Sequence, residues 1–179
     1  MWYSKMDNPK PFVGNIYRGK RPGYPRRQVT RDECRLYSEN LVSQGFTDIF
    51  VLLTPREMQE YYGGQDVLFD IYQSVGLRVH AYPIQDRSVP TIQQVMDFCS
   101  DIDASGKSVV HCSAGIGRTG TMTSAYLFYK GLAEIGAKSN RLISYQTPDQ
   151  GRFLDEFAKY METTRTENPS TNEQRPESE

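Results

Sequence analysis

The segment from Ser108 to Tyr129 constrains the fold of this chain more than any other, because it joins two hydrophobic periodicities through a loop containing two glycines. Ser108-Val109-Val110-His111 is short, apolar and β-branched, the composition of a buried strand, whereas Thr119 to Tyr129 has the length and mixed apolar faces of a helix. Between them stands Cys112-Ser113-Ala114-Gly115-Ile116-Gly117-Arg118. A loop that leaves a strand and opens a helix presents successive backbone N–H groups without helical partners, at the positive end of the helix dipole. Such a loop holds an anion with its backbone. Gly115 and Gly117 are the positions expected to let it curl.

The alternation of strand and helix runs along the whole chain. Strands are predicted near 15–18 and at 48–53, 77–82 and 108–111; helices are predicted over about 31–44, 55–76, 91–104 and 119–130. A last helix carries Phe153, Leu154, Phe157, Tyr160 and Met161 on one face. This order implies an α/β fold, a mainly parallel central sheet flanked by helices. With 179 residues, 37% of them hydrophobic, and a net charge of −1, the chain reads as one domain over 15–162. A segment 1–14 precedes it, and 163–179, polar and free of aliphatic residues, is expected to be a disordered tail.

The chemistry follows from the loop. A cysteine attacks as thiolate, and only a few per cent of a thiol with an ordinary pKa of about 8.5 is ionised near neutrality. Helix-terminal N–H dipoles and the guanidinium of Arg118 favour the thiolate of Cys112. Arg118 can grip two phosphoryl oxygens with its planar fork, where a lysine cannot. The seven loop residues and their flanks, His111 to Thr119, resemble the His-Cys-five residues-Arg-Ser/Thr signature of the cysteine-dependent protein tyrosine phosphatases. That resemblance implies that Thr119 bonds the sulfur and helps release it from a phosphocysteine intermediate, and that His111 orients the loop.

A phosphate ester needs its leaving oxygen protonated. Asp86 lies in Pro83-Ile84-Gln85-Asp86-Arg87-Ser88-Val89-Pro90, which leaves a strand end and is bracketed by prolines, and sites in parallel sheets collect at those ends. Aspartate there is either the general acid or a turn former. The resemblance supports the acid, because family members carry it in a Pro-x-x-Asp loop upstream of the cysteine; Gln85 stands where many relatives have proline. Gln146-Thr147-Pro148-Asp149-Gln150 is similar to the family's water-positioning glutamine loop, with Gln150 taken ahead of Gln146, and it also reads as a helix start capped by Thr147.

Other features narrow the class. No run of about 18 apolar residues is present and Met1 to Asp7 is too polar for a signal peptide, so a cytoplasmic protein without a membrane span is expected. Three cysteines and two histidines form no evident zinc framework, and no cofactor is expected. Cys34 and Cys99 sit on the core faces of their helices, Cys34 with Tyr37 and Leu41, Cys99 with Ile92, Val95, Met96 and Ile102. They are structural thiols or, alternatively, one resolves oxidised Cys112 as a disulfide. Residues 1–35 hold nine Lys/Arg against three Asp/Glu, including Arg18, Lys20, Arg21, Arg26, Arg27 and Arg31, which reads as a solvated face or a positive rim; no nucleic-acid module accompanies it.

Within the family the resemblance is to compact, atypical dual-specificity phosphatases, because the larger tyrosine-specific domains carry a tyrosine-clamping loop that is not found here. The loop Ser113-Ala114-Gly115-Ile116-Gly117 has nevertheless the form typical of tyrosine-specific members, and phosphoinositide-directed relatives tend to place lysines where Ser113 and Ile116 stand. The resemblance implies phosphorylated protein substrates, phosphotyrosine first and phosphoserine or phosphothreonine after it. Phosphoinositides or RNA 5′-phosphates are the alternative; a phosphate-binding module without turnover would keep Arg118 and lose Cys112 or the acid.

Overall fold

The computed structural model describes residues 8–134 and 142–167. Five strands form one sheet in the order β1-β2-β5-β3-β4: β1 (Lys10–Val13), β2 (Ile16–Gly19), β3 (Asp48–Val51), β4 (Arg78–Ala81) and β5 (Ser108–His111). Strands β2, β5, β3 and β4 run parallel and β1 pairs antiparallel with β2. The helices are α1 (Arg31–Ser43), α2 (Pro55–Tyr62), α3 (Gln65–Ser74), α4 (Ile92–Asp103), α5 (Gly117–Tyr129) and α6 (Pro148–Glu167). The fold is thus the α/β arrangement that the sequence implies.

Side chains alternate across the pleat and divide the core in two. Ile49, Val51 and Leu53 pack with Cys34 and Leu41 of α1, Met58 of α2 and Leu68 and Tyr72 of α3, while Phe50 and Leu52 face Val95, Phe98 and Cys99 of α4, Met122 of α5 and Phe157 of α6. Every residue of β3 and β5 is buried, which accounts for their near-continuous apolar runs. Helix α5 is buried from Gly117 to Phe128, so it has no polar face. Its small residues let the chain after the loop approach: a Cβ at Gly120 would stand 2.6 Å from the Ser144 carbonyl oxygen.

Several elements differ from the sequence reading. Strand β1 was not expected, being four residues that gain their partner only by pairing with β2. The single helical stretch over 55–76 is two helices, because Gly63 closes α2 at φ 83° and Gly64 stands at φ 150°. Helix α5 opens at Gly117 rather than Thr119. Thr163 to Glu167 continue α6 where disorder was expected, and the remainder of that tail lies outside the described residues. Ile92 and Tyr160 are exposed; Phe98 and Ala158 take places on the buried stripes instead.

Parallel pairing in register aligns the carboxyl ends of four strands, Gly19 beside His111, His111 beside Val51, and Val51 beside Ala81. The loops that follow therefore leave the sheet along one edge, where α/β proteins gather their sites. At the opposite edge Asp48, fully buried, receives two bonds from Arg78 (2.9 Å each), one from His80 Nε2 (2.9 Å), one from Thr47 Oγ1 (2.7 Å) and the Gly106 N–H (3.1 Å). Burial alone would raise this carboxyl, but the bonds from Arg78, Thr47, His80 and Gly106 outweigh it and hold it well below the usual carboxylate range. Because the folded value lies below the unfolded one, the stabilisation is complete above about pH 4 and falls away as acid protonates Asp48. Asp48→Ala should cost about 3 kcal/mol at pH 7 and much less near pH 2, measured by urea denaturation at both pH values; an equal loss at the two would separate the effect from ionisation.

Candidate active site

Three loops and two helix starts meet around Cys112. The residue following β5 is nearly buried and stands at the head of a turn that ends in the first turn of α5. Gly115 has φ 73°, and a Cβ there would lie 2.3 Å from the Gly19 carbonyl oxygen, so the loop can press against the end of β2 only with glycine. Gly117 serves differently from the expectation. Its φ is not positive, and the space over its Cα is filled by the Gln146 side chain, whose Oε1 would be 2.7 Å from a Cβ. Ile116 stands at the lip, more than half exposed.

Arg118 is almost fully buried and tightly placed. Its Nη1 and Nη2 donate to the two carboxylate oxygens of Glu57 at 2.7 and 2.8 Å, Nη1 also reaches the Ile84 carbonyl at 2.8 Å, and Nη2 is 3.1 Å from Asp86 Oδ1. The planar fork is thus clamped bidentately by one acid while it touches a second. Burial would raise the Glu57 carboxyl, but the bonds from Arg118 and the Thr54 amide outweigh it and lower the pKa. Two buried polar atoms beside Cys112 make no hydrogen bond among the described residues, Arg118 Nε and Thr119 Oγ1. The bond from Thr119 to the sulfur that the family resemblance implies is therefore not formed, and both groups are left for another acceptor.

His111 is buried between two partners. Its Nδ1 lies 3.1 Å from the Cys112 carbonyl, which can only accept, so Nδ1 carries the proton and Nε2 accepts from Tyr72 Oη at 3.2 Å. Burial, with the nearby charges of Arg21 and Arg118, takes its pKa down to about 4 against the opposing bond to Cys112. A neutral ring thus braces the first peptide of the loop from α3. Ser113 is tied to the other side, its carbonyl accepting from the Arg21 N–H (3.1 Å) and its Oγ from Arg21 Nε (3.2 Å). Ala114 lies between these anchored positions.

The loop that carries Asp86 and the start of α6 are joined through Gln150. Its Oε1 accepts from the N–H groups of Gln146 (2.9 Å) and Thr147 (3.2 Å), and its Nε2 donates to the Ser88 carbonyl (3.0 Å). Thr147 Oγ1 reaches the Arg87 carbonyl at 3.3 Å. With both ends of its amide engaged and the side chain buried, Gln150 is a brace, whereas Gln146 is exposed over the loop. The sequence ranked Gln150 ahead of Gln146; of the two, Gln146 is the one exposed at the loop. Sequence reasoning also missed Glu57, Arg21 and Tyr72. Glu57 was accessible in principle: Thr54-Pro55-Arg56-Glu57 is a capping box at the end of β3, and its carboxylate both caps Thr54 and clamps Arg118. Cys34 and Cys99 are free and buried in the two cores, burial pushing the Cys34 thiol up to about 12 and raising Cys99 further. Among the described residues no three His, Cys, Asp or Glu side chains cluster as metal ligands do, and no helix is long and apolar enough to cross a membrane.

Comparison with known proteins agrees with this geometry. A family described as the DSP-PTPase phosphatase of polymorphic toxin systems matches residues 40–132, more than half of the chain. The chain belongs to this dual-specificity-type phosphatase family. Human cyclin-dependent kinase inhibitor 3 is 32% identical over 108 residues, which cover 58% of this chain and 48% of that protein. A protein of Arabidopsis thaliana named phosphatidylinositol 3,4,5-trisphosphate 3-phosphatase and protein-tyrosine-phosphatase PTEN1 is 42% identical over 62 residues, 31% of this chain and 15% of that one. The chain thus spans at most about half the length of these curated relatives. The crystal structure of kinase associated phosphatase superposes with a TM-score of 0.63 at 25% identity, covering 82% of this chain and 86% of that one. Tk-PTP in its active form gives 0.62 at 21% identity over 89% and 99%.

The clamp on Arg118 leads to a prediction. Glu57→Gln keeps the size of the side chain but loses the bidentate charge pair, so kcat/KM toward para-nitrophenyl phosphate should fall at least about tenfold. Glu57→Ala should add about 1 kcal/mol of lost stability from the broken capping box, read as a lower melting temperature. Unchanged kinetics in Glu57→Gln would remove the clamp from the chemistry.

Proposed function

We propose that the protein hydrolyses phosphate monoesters of phosphoproteins through a phosphocysteine intermediate, phosphotyrosine first. The observation that carries this reading is the meeting of three groups from distant parts of the chain: Cys112 at the loop, Arg118 held by Glu57, and Asp86 within 3.1 Å of Arg118. The phosphoryl group sits against the loop amides of Ser113 to Gly117 and takes hydrogen bonds from Arg118, whose Nε is unpaired. The Cys112 sulfur attacks phosphorus as the P–O bond to the leaving group breaks, and Asp86 gives its proton to that oxygen. Water then attacks phosphorus, the P–S bond breaks, Asp86 takes the proton of the water, and Thr119 stabilises the departing sulfur. Gln146, exposed over Gly117, orients that water, and Gln150 keeps the acid loop in place. His111 stays neutral and structural.

The charge around the site favours phosphoproteins over phosphoinositides. The basic amino-terminal segment could have supplied the cations that the loop lacks, but Arg26 is paired with Glu33 (2.6 Å) and Arg27 with Glu60 (3.1 Å). Arg18 turns inward to Thr123, Ser144 and the Leu142 carbonyl, and Arg21 is buried. An apolar Ile116 at the lip suits an aromatic ring better than a cluster of phosphates. A catalytic thiol needs a reducing compartment, and the three free cysteines fit a cytoplasmic protein.

Cys112→Ser and Arg118→Lys should each abolish hydrolysis of para-nitrophenyl phosphate. Asp86→Asn should lose roughly 10²–10⁴ in turnover, most for alkyl phosphates and least for activated aryl ones. Full activity in Cys112→Ser would overturn the mechanism, and equal losses across leaving groups would move the acid elsewhere. Wild-type kcat/KM should be higher for phosphotyrosine peptides than for phosphoserine peptides or soluble phosphoinositides, and the reverse order would favour the lipid reading.

The two glutamines should separate kinetically. Gln146→Ala slows hydrolysis of the intermediate, so rapid-quench experiments should trap phosphorylated enzyme after a burst of one equivalent. Gln150→Ala frees the acid loop, so it should show no trapped intermediate, a lower melting temperature and the leaving-group sensitivity of Asp86→Asn. A burst in Gln150→Ala rather than in Gln146→Ala would reverse the assignment.

A further inference from the structure

Behind the phosphate loop lies a buried arginine that the mechanism above does not use. Arg21 stands two residues after the end of β2 and is only 3% exposed. Its Nε donates to Ser113 Oγ (3.2 Å), Nη1 to the Pro22 carbonyl (3.1 Å) and Nη2 to the Arg26 carbonyl, while the guanidinium lies 3.8 Å from the centre of the Tyr61 ring. Every one of these acceptors is neutral, and among the described residues no carboxylate pairs with Arg21. A buried cation without a counter-charge is costly, so its retention calls for an anion that compensates it.

The charged and titratable groups around the loop identify that anion. Glu57 of α2 and Asp86 of the acid loop are both taken by Arg118 of α5; His111 of β5 is neutral and bonded to Tyr72 of α3. Burial keeps Cys34, Tyr62 and Tyr72, the other titratable groups that the charge of Arg21 reaches, protonated, which leaves the loop itself, where Ser113, the residue next to Cys112, is bonded to Arg21 through its carbonyl and its Oγ.

We propose that Arg21 is a second, indirectly acting cation of the phosphate site, a positioning residue that fixes Ser113 and adds positive potential behind the loop, so that an oxyanion binds more tightly. The inference rests on the phosphoryl-transfer reading. Because the charge acts alike on bound substrate and transition state, it lowers KM and leaves kcat nearly unchanged. Because it is buried, added salt does not screen it.

The test compares Arg21→Gln, which can still donate to Ser113 but is neutral, with Arg21→Lys, using the full chain, para-nitrophenyl phosphate and vanadate. Arg21→Gln should raise KM and the vanadate inhibition constant about tenfold, with kcat within about twofold and the same ratio at low and high salt. Arg21→Lys should recover most of that loss. Equal KM values in the two variants, whatever their melting temperatures, would overturn the role of charge while leaving an active wild type untouched. A wild type that neither turns over nor binds vanadate would instead sink the phosphoryl-transfer reading. Should Arg21→Gln not fold, Ser113→Ala decides by cutting the link: weaker vanadate binding supports the proposal and unchanged binding overturns it.

Discussion

The bidentate pair between Arg118 and Glu57 is the interaction on which the site geometry depends. A guanidinium buried this deeply needs a counter-charge and acceptors for most of its donors, and the partners come from α2, the carboxyl end of β3 and the loop that carries Asp86. The pair therefore does more than neutralise charge: it holds α5, α2 and residues 84–86 in one arrangement, while Arg118 Nε is left unpaired beside the loop. Removing either member leaves the other charge buried, so this contact couples the stability of the edge to its chemistry.

A second layer of contacts fixes the acid loop from the opposite side. Gln150 and Thr147, at the start of α6, hold the carbonyls of Ser88 and Arg87, and Arg87 occupies a left-handed conformation, φ 64°, that a non-glycine side chain disfavours. Such a backbone persists when its surroundings over-determine it. Here the neighbouring residue, Asp86, is drawn toward Arg118, and the following carbonyls are held by α6. The segment before α6 is in turn held by the sheet, since Arg18 of β2 binds Ser144 and the Leu142 carbonyl.

The parts of this arrangement differed in how far they could be read from sequence. Loop residues 111–119 were legible because one short segment carries strand, turn, nucleophile and cation together, and the parallel sheet followed from alternating periodicities. Asp86 was legible from its place after a strand. Strand β1 was not, because four residues with no pattern of their own become a strand only through pairing with β2. Glu57 and Arg21 were hidden for another reason: their partners lie 61 and 92 residues away, and a charged side chain that turns inward carries no periodic signal. The same blindness hid the two arginines of the basic amino-terminal segment that turn inward, the buried Arg21 and the half-buried Arg18, whereas Arg26 and Arg27 stay exposed in ion pairs.

That redistribution of charge bears on how an anion is selected. Exposed lysines and arginines attract phosphates at long range and lose that attraction in salt. In this protein Arg118 and Arg21, the cations bonded at the loop, are buried, and the amides that line it contribute dipoles rather than full charges. A site built this way discriminates by fit at short range: an oxyanion must enter the loop to meet the charge at all. On the proposed phosphoprotein reading, selectivity falls to what touches Ile116 at the lip, where an aromatic ring would bury more apolar surface than an inositol.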